Sequence, residues 1–347
     1  MIYFNCDYTE GAHPRILKYL TENNYEQTMG YGEDQHCQRA KKLIQDACGR
    51  RDADVHFLVG GTQANLTVID AALRPHQGVL SASTGHINVH ETGAIEAVGH
   101  KVLALPCTGD GKITAAQVID ACEAHINDEA FEHIVQPKMV YISHPTENGM
   151  LYTKEELKAL RSACSKYGLY FFLDGARLSY GIASSDTDVA LSDIASLCDV
   201  FYIGGTKTGA LFGEAVVITH PALKKDFRYI MKQKGAMLAK GWLIGLQYCA
   251  LMEDSLYLDI AESANKKAME IADTCVSLGL PLLAKSATNQ QFPILPNSII
   301  KKLKEEYTFS TWQIIDDEHT AIRICTSWAT PQENVDALIK SLKEHCA

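Results

Sequence analysis

The segment DVFYIGGTKTGALFGEAVVI, residues 199–218, reads as strand, glycine-rich turn, strand. Its flanks, 200–203 and 215–218, are rich in β-branched and aromatic residues, as buried strands are. A single lysine, Lys207, sits between them among small residues. Lysine is seldom buried unless it is paired or reacting. In a tight turn, with glycines that let a ligand approach the backbone, it suggests capture of a carbonyl compound as a Schiff base. The same lysine also suits an ordinary solvated hairpin, so the segments upstream must decide.

Upstream of this segment, before a short helix at 191–197, the apolar strand LYFFL, 169–173, runs into Asp174-Gly175-Ala176-Arg177. A carboxylate and a guanidinium at the end of a hydrophobic strand are costly to bury without partners. Further back, strands and helices alternate. A strand at 55–59 ends in Gly60-Gly61-Thr62 and continues as a helix to 73. That geometry offers backbone N–H groups and a positive helix end to a phosphate, although it is neither a Walker loop nor GxGxxG. A strand at 79–82 leads to Thr84-Gly85-His86, which opens another helix. A strand at 101–105, a helix at 114–126, a surface loop at 127–138 and a strand at 139–143 follow. A capping box at Thr153 and Glu156 then starts a helix. The pattern predicts an α/β fold with a doubly wound, mostly parallel sheet and one antiparallel member. After 221 it predicts amphipathic helices at 237–253 and 260–278, strands at 291–295 and 321–325, and a last helix at 331–345. The expected division is a large domain, 1–253, and a smaller C-terminal α/β domain, 254–347.

Composition narrows the function. Hydrophobic residues at 46% and charged residues at 21% are ordinary for a globular protein. The net charge of −10 argues against nucleic acid or an anionic membrane as main partner. No apolar stretch is long enough to span a bilayer, and the N-terminus lacks a signal-peptide pattern. The eleven cysteines are scattered, odd in number and without a CxxC pair, so they read as reduced packing residues of a cytoplasmic protein. His86 and His90 are four apart but lack the zincin glutamate, so no metal site is expected.

Lys207, Asp174, Gly61/Thr62 and His86 together fit one cofactor, pyridoxal 5′-phosphate. It needs a lysine for attachment, a carboxylate at its pyridine nitrogen, a phosphate cradle and a group against its ring. Its amino-acid substrate needs guanidinium groups; Arg177 and Arg323 suit bidentate binding of a carboxylate.

With these pieces in place, the chain resembles the low-specificity L-threonine aldolases, fold-type I enzymes related to the β-eliminating lyases. The resemblance rests on GTQANL at 61–66, HINVHETGA at 86–94, DGARL at 174–178, GGTKTGALFGEAVV at 204–217 and RICTSW at 323–328, in order along the whole chain. It implies that Lys207 carries the cofactor, Asp174 pairs with the pyridinium nitrogen, and Gly61 and Thr62 bind phosphate. His86 would stack on the ring and help handle the substrate hydroxyl, directly or through water. Arg177 and Arg323 would hold the substrate carboxylate, with Cys6, Tyr31 and Glu91 near the substrate. It also implies a homo-oligomer, a dimer of dimers, in which Lys240 reaches a neighbour's phosphate. Two departures stand out. Cys6 precedes Asp7 where relatives often have serine. Thr146-Glu147-Asn148 occupies a loop where many members carry a histidine, with His144 displaced. The implied reaction is cleavage of threonine, allo-threonine and related β-hydroxy-α-amino acids to glycine and an aldehyde. Another pyridoxal-phosphate enzyme, an aminotransferase or β-eliminating lyase, is the nearest rival. A pyridoxal-phosphate carrier without turnover is the rival from a different class, and two carboxylate clamps speak against it.

Overall fold

The computed structural model describes residues 1–107 and 109–346; Thr108 and Ala347, the end of the expected second domain, lie outside the described residues. Seven strands form the central sheet: β1 Asp54–Leu58, β2 Gln77–Ala82, β3 Lys101–Leu105, β4 Gln136–Ser143, β5 Tyr170–Asp174, β6 Val200–Gly204 and β7 Glu214–Ile218. Their order is β1-β7-β6-β5-β4-β2-β3. Only β7 runs against its neighbours, β1 and β6, so all the other strands end at the same edge.

Alternation along each strand divides the core between the two faces. Val140, Ile142, Phe171, Leu173, Phe201 and Ile203 face one way, under the helices Gln35–Cys48, Lys154–Tyr167 and Trp242–Met252. Met139, Tyr141, Phe172, Val200 and Tyr202 face the other, under Gly61–Ala72 and Phe227–Gln233. A sheet covered on both faces is the doubly wound architecture expected from the sequence.

A smaller sheet stands beside it. His319–Cys325 pairs antiparallel with Ser310–Ile314, Ile294–Pro296 and Gln290–Gln291. Its core includes Leu295, Ile322, Ile324 and Leu338, together with Phe4 from the other end of the chain. The N-terminal strand Ile2–Tyr3 pairs in parallel with Tyr307–Thr308. The helix Leu256–Ser277 has Leu256 and Tyr257 in the first core and Ile271 and Cys275 in this one. Among the described residues no helix is long and apolar enough to cross a membrane.

Three expectations change. The loop expected at 127–138 is shorter, because β4 already begins at Gln136. Pro137 is tolerated there because the register with β2 slips beside it, and at such a bulge its missing N–H is not needed. The helix expected at 237–253 is confined to Trp242–Met252 and is not amphipathic; eight of its eleven residues are buried. The strand expected at 291–295 is two short pieces on either side of Phe292 and Pro293.

Candidate active site

The strand ends converge where ligands collect in open α/β sheets. Asp174, the last residue of β5, is 4% exposed. Tyr141 on β4 and Tyr202 on β6 flank it, and both hydroxyls donate to it, Tyr141 at 2.5 Å. Asn65 Nδ2 and the Ala176 N–H, each at 3.0 Å, complete the set. Gly175 allows this corner, since a Cβ there would lie 1.9 Å from the Tyr202 carbonyl oxygen. Burial raises the Asp174 pKa, but the His86 charge and the tyrosine hydrogen bonds outweigh it. The net effect holds the carboxyl below its ordinary range.

Lys207 stands across the recess. Its carbonyl is fixed by the Tyr180 hydroxyl at 2.6 Å. Its amine makes no hydrogen bond or ion pair to the described residues; the centroid of the Tyr8 ring lies 6.0 Å from Nζ. Burial, and then the Arg177 charge, lower its pKa and so enlarge the fraction of reactive neutral amine.

His86 borders the same recess. Its Nδ1 lies 2.7 Å from Glu91 Oε1, which fixes the ring plane. Asn65 Nδ2 also donates to Glu91, at 2.7 Å, and so ties the histidine's support to Asp174. Gly61 opens the helix Gly61–Ala72 at the wall, where the N–H groups of a first turn have no partner within the helix. A Cβ at Gly61 would come 3.1 Å from the Tyr202 hydroxyl.

The two arginines differ from their expected equivalence. Arg177 is already paired: Nε and Nη2 reach the buried Asp7 carboxylate at 2.7 and 2.9 Å, and Asn289 donates to the same carboxylate. It is therefore not a second free clamp; only Nη1 makes no hydrogen bond to the described residues. Arg323 has no carboxylate partner among the described residues. Its Nη groups meet Asn5 O at 3.1 Å, Gln290 at 3.4 Å and Ser310 at 3.5 Å, and its Nε is buried without a partner. The guanidinium lies 5.1 Å over the Trp312 ring and faces an outer cleft of about 660 Å³, continuous with Lys207 and His86.

Some expected residues are elsewhere. Cys6 is buried and lines neither recess nor cleft, whereas Tyr8 lines the cleft. Thr62 is exposed, with Gly61 forming the wall in its place. Tyr31 and Lys240 line neither recess nor cleft but are near each other, since the Tyr31 N–H donates to Ala239 O at 3.2 Å. His144 is fully buried and accepts from the Tyr152 N–H at 3.4 Å; burial pulls its pKa to about 4, so it is a neutral packing residue. Sequence reasoning missed Asn65, Tyr141, Tyr202, Asp7 and Trp312, and named Glu147 only as a departure.

The chain matches the family described as beta-eliminating lyase across residues 14–297. The chain belongs to the beta-eliminating lyase family. A low specificity L-threonine aldolase of Pseudomonas aeruginosa is 29% identical, over 98% of this chain and 96% of its own. A solved structure of Leishmania major threonine aldolase is 45% identical, with a TM-score of 0.97 and full coverage of both chains. An aspartate aminotransferase of Thermus thermophilus, at 13% identity and a TM-score of 0.73 over 99% and 91% of the chains, shares the fold. The cofactor of this beta-eliminating lyase is pyridoxal phosphate, and the donor set fits it. Lys207 has no competing partner, and Asp174 is held ionised on the wall. Of Asp174's donors, Tyr202 and Ala176 also line the recess.

Proposed function

We propose that this lyase cleaves β-hydroxy-α-amino acids, threonine and allo-threonine among them, to glycine and an aldehyde. One observation carries the reading: Arg323, without a carboxylate partner, faces the same cleft as the unpartnered Lys207 amine. That pair suits an amino acid held by its carboxylate beside the cofactor, and the names of the relatives supply the reaction.

Lys207 would hold pyridoxal phosphate, Asp174 would face its ring nitrogen, His86 its ring, and the start of Gly61–Ala72 its phosphate. When bound, the cofactor supplies an electron sink for the bonds at Cα, so the protein's task is to select one bond. Arg323 orients the substrate by its carboxylate and directs Cβ toward the His86 side. The buried Asp7–Arg177 pair braces the floor of the cleft. Lys207 Nζ, beside the reacting carbon, is suited to deliver the proton that completes glycine.

The test is product formation by pyridoxal-phosphate-loaded protein without any keto acid. Glycine and the matching aldehyde are expected from threonine, allo-threonine and phenylserine. Discrimination at Cβ should be weak, because His144 is packed away from the cleft. Amino transfer to a keto acid faster than aldehyde release would favour an aminotransferase instead. Arg323→Ala is expected to raise KM by about 30- to 1,000-fold, roughly 2–4 kcal/mol of binding, with the cofactor spectrum unchanged. Loss of cofactor with normal substrate affinity would refute its role as the clamp.

The reading includes a dimer of dimers in the cytoplasm. Tyr31 and Lys240 stand together outside their own cavity, as residues serving a neighbour's site would. Eleven free cysteines suit a reducing compartment.

A further inference from the structure

Four side chains border both the inner recess and the outer cleft: Lys207, Arg177, His86 and Glu147. The bond to be broken must lie at this junction, because the recess holds the cofactor residues and the cleft holds Arg323. Lys207 and Arg177 have their tasks. His86 has Nδ1 engaged by Glu91 and would face the cofactor with its ring. Glu147 has no task in the function described above.

Its geometry is that of a positioned carboxyl. Oε1 accepts from the His86 N–H at 3.0 Å and from the Ser143 hydroxyl at 2.6 Å. Both of these fall on Oε1, and no donor from another described residue reaches Oε2. The loop behind it is anchored as well: Thr146 donates to Asp110 O at 2.7 Å, and Asn148 bonds both Gly109 O and the Trp312 indole N–H. Trp312 in turn stacks under Arg323. The loop that carries Glu147 is thus tied to the arginine that would hold the substrate.

We propose that Glu147 is the proton acceptor at the substrate β-hydroxyl, an assignment that rests on the aldol-cleavage reading. The hydroxyl O–H bond breaks and its proton passes to Glu147 Oε2. The O–H electron pair becomes the second bond of the aldehyde carbonyl. The Cα–Cβ bond breaks, and its pair remains on Cα, stabilised by the bound cofactor. Cα then gains one proton to give glycine, and Glu147 gives up the proton it took. Net, one proton moves from oxygen to Cα, and no oxidant or reductant is needed.

Burial raises the Glu147 pKa and the Asp174 charge adds to this; the Ser143 and His86 hydrogen bonds offset only part of it. Lys207, Arg177, Arg323, His86, His90, Tyr8 and Tyr202 are the other titratable or charged groups facing the same space. A carboxyl moved toward neutral pKa is better matched to taking and returning a proton than an ordinary one.

Glu147→Gln keeps the size and the Oε1 acceptor but cannot take the proton. Threonine cleavage by the pyridoxal-phosphate-loaded variant should fall by about 100-fold or more. Exchange of the glycine α-hydrogen with deuterated water, which involves no hydroxyl, should stay within a few-fold of the parent. Cofactor absorbance and borohydride labelling of Lys207 should be unchanged, and Glu147→Asp should recover part of the cleavage. Cleavage at the parental rate in Glu147→Gln would overturn the assignment and leave His86 as the acceptor. Equal loss of cleavage and exchange would also overturn it, since Glu147 would then only position His86 or the cofactor. If the parent protein exchanges glycine hydrogens but releases no aldehyde from any β-hydroxy amino acid, the function reading fails and takes this assignment with it.

Discussion

Lys207→Ala is expected to lower aldehyde release at least about 1,000-fold, about 4 kcal/mol of barrier. The protein should also lose its yellow colour after dialysis, because nothing else on the wall offers a covalent bond to the cofactor. Borohydride treatment of the parent should leave the cofactor on the peptide that contains Lys207. Label on another peptide would refute the assignment. The fold should tolerate the change. The amine has no hydrogen-bond partner to orphan, and a buried unpaired ammonium is a cost, not a support. The variant should therefore melt no earlier than the parent when both are free of cofactor. The pH dependence has a definite sign. Because the folded pKa is lowered, the unfolded chain binds more protons between the lowered and the ordinary lysine values. The Lys207 contribution to stability must then rise with pH across that interval and vanish in Lys207→Ala. Cofactor attachment should likewise set in below the pH an ordinary lysine would need.

The sequence made Lys207 conspicuous for a local reason: a charged residue in a turn between two strands that had to be buried. Asp174 was legible in the same way, as a carboxylate ending an apolar strand, and Arg323 as a charge between Ile322 and Ile324. Their partners were not. Tyr141 and Tyr202 read as strand-forming aromatics, and only the register of β4, β5 and β6 brings their hydroxyls to Asp174. Arg177 looked like a free clamp because its carboxylate, Asp7, lies 170 residues away in sequence. The strand Ser310–Ile314, which carries Trp312, has mostly exposed or half-exposed residues and so shows no clean alternation. The helix Trp242–Met252 is buried nearly all round, and a helix without a polar stripe gives periodicity no edge to locate.

Asp174→Asn should leave the protein yellow and folded while lowering turnover by roughly 100-fold, about 3 kcal/mol. The carboxylate matters through its charge. It favours the protonated form of a facing ring nitrogen, and an amide of the same shape does not. The surroundings are arranged to keep that charge, since four donors converge on two oxygens. Each oxygen accepts two of these hydrogen bonds, and asparagine replaces one oxygen by a donor, so two contacts must reverse or break. The two tyrosine hydroxyls can turn and accept, which limits the loss of stability to about 1–3 kcal/mol. Acid titration supplies an independent check. The Asp174 pKa is depressed in the folded protein, so its contribution to stability is full above the ordinary carboxylate range and is lost as pH falls through the depressed value. In Asp174→Asn that part of the acid limb should disappear, whether or not the variant turns over. Near-normal turnover in a variant that had lost this acid limb would mean that a different group faces the ring nitrogen, with Asp174 only holding Tyr141, Tyr202 and Asn65 in place.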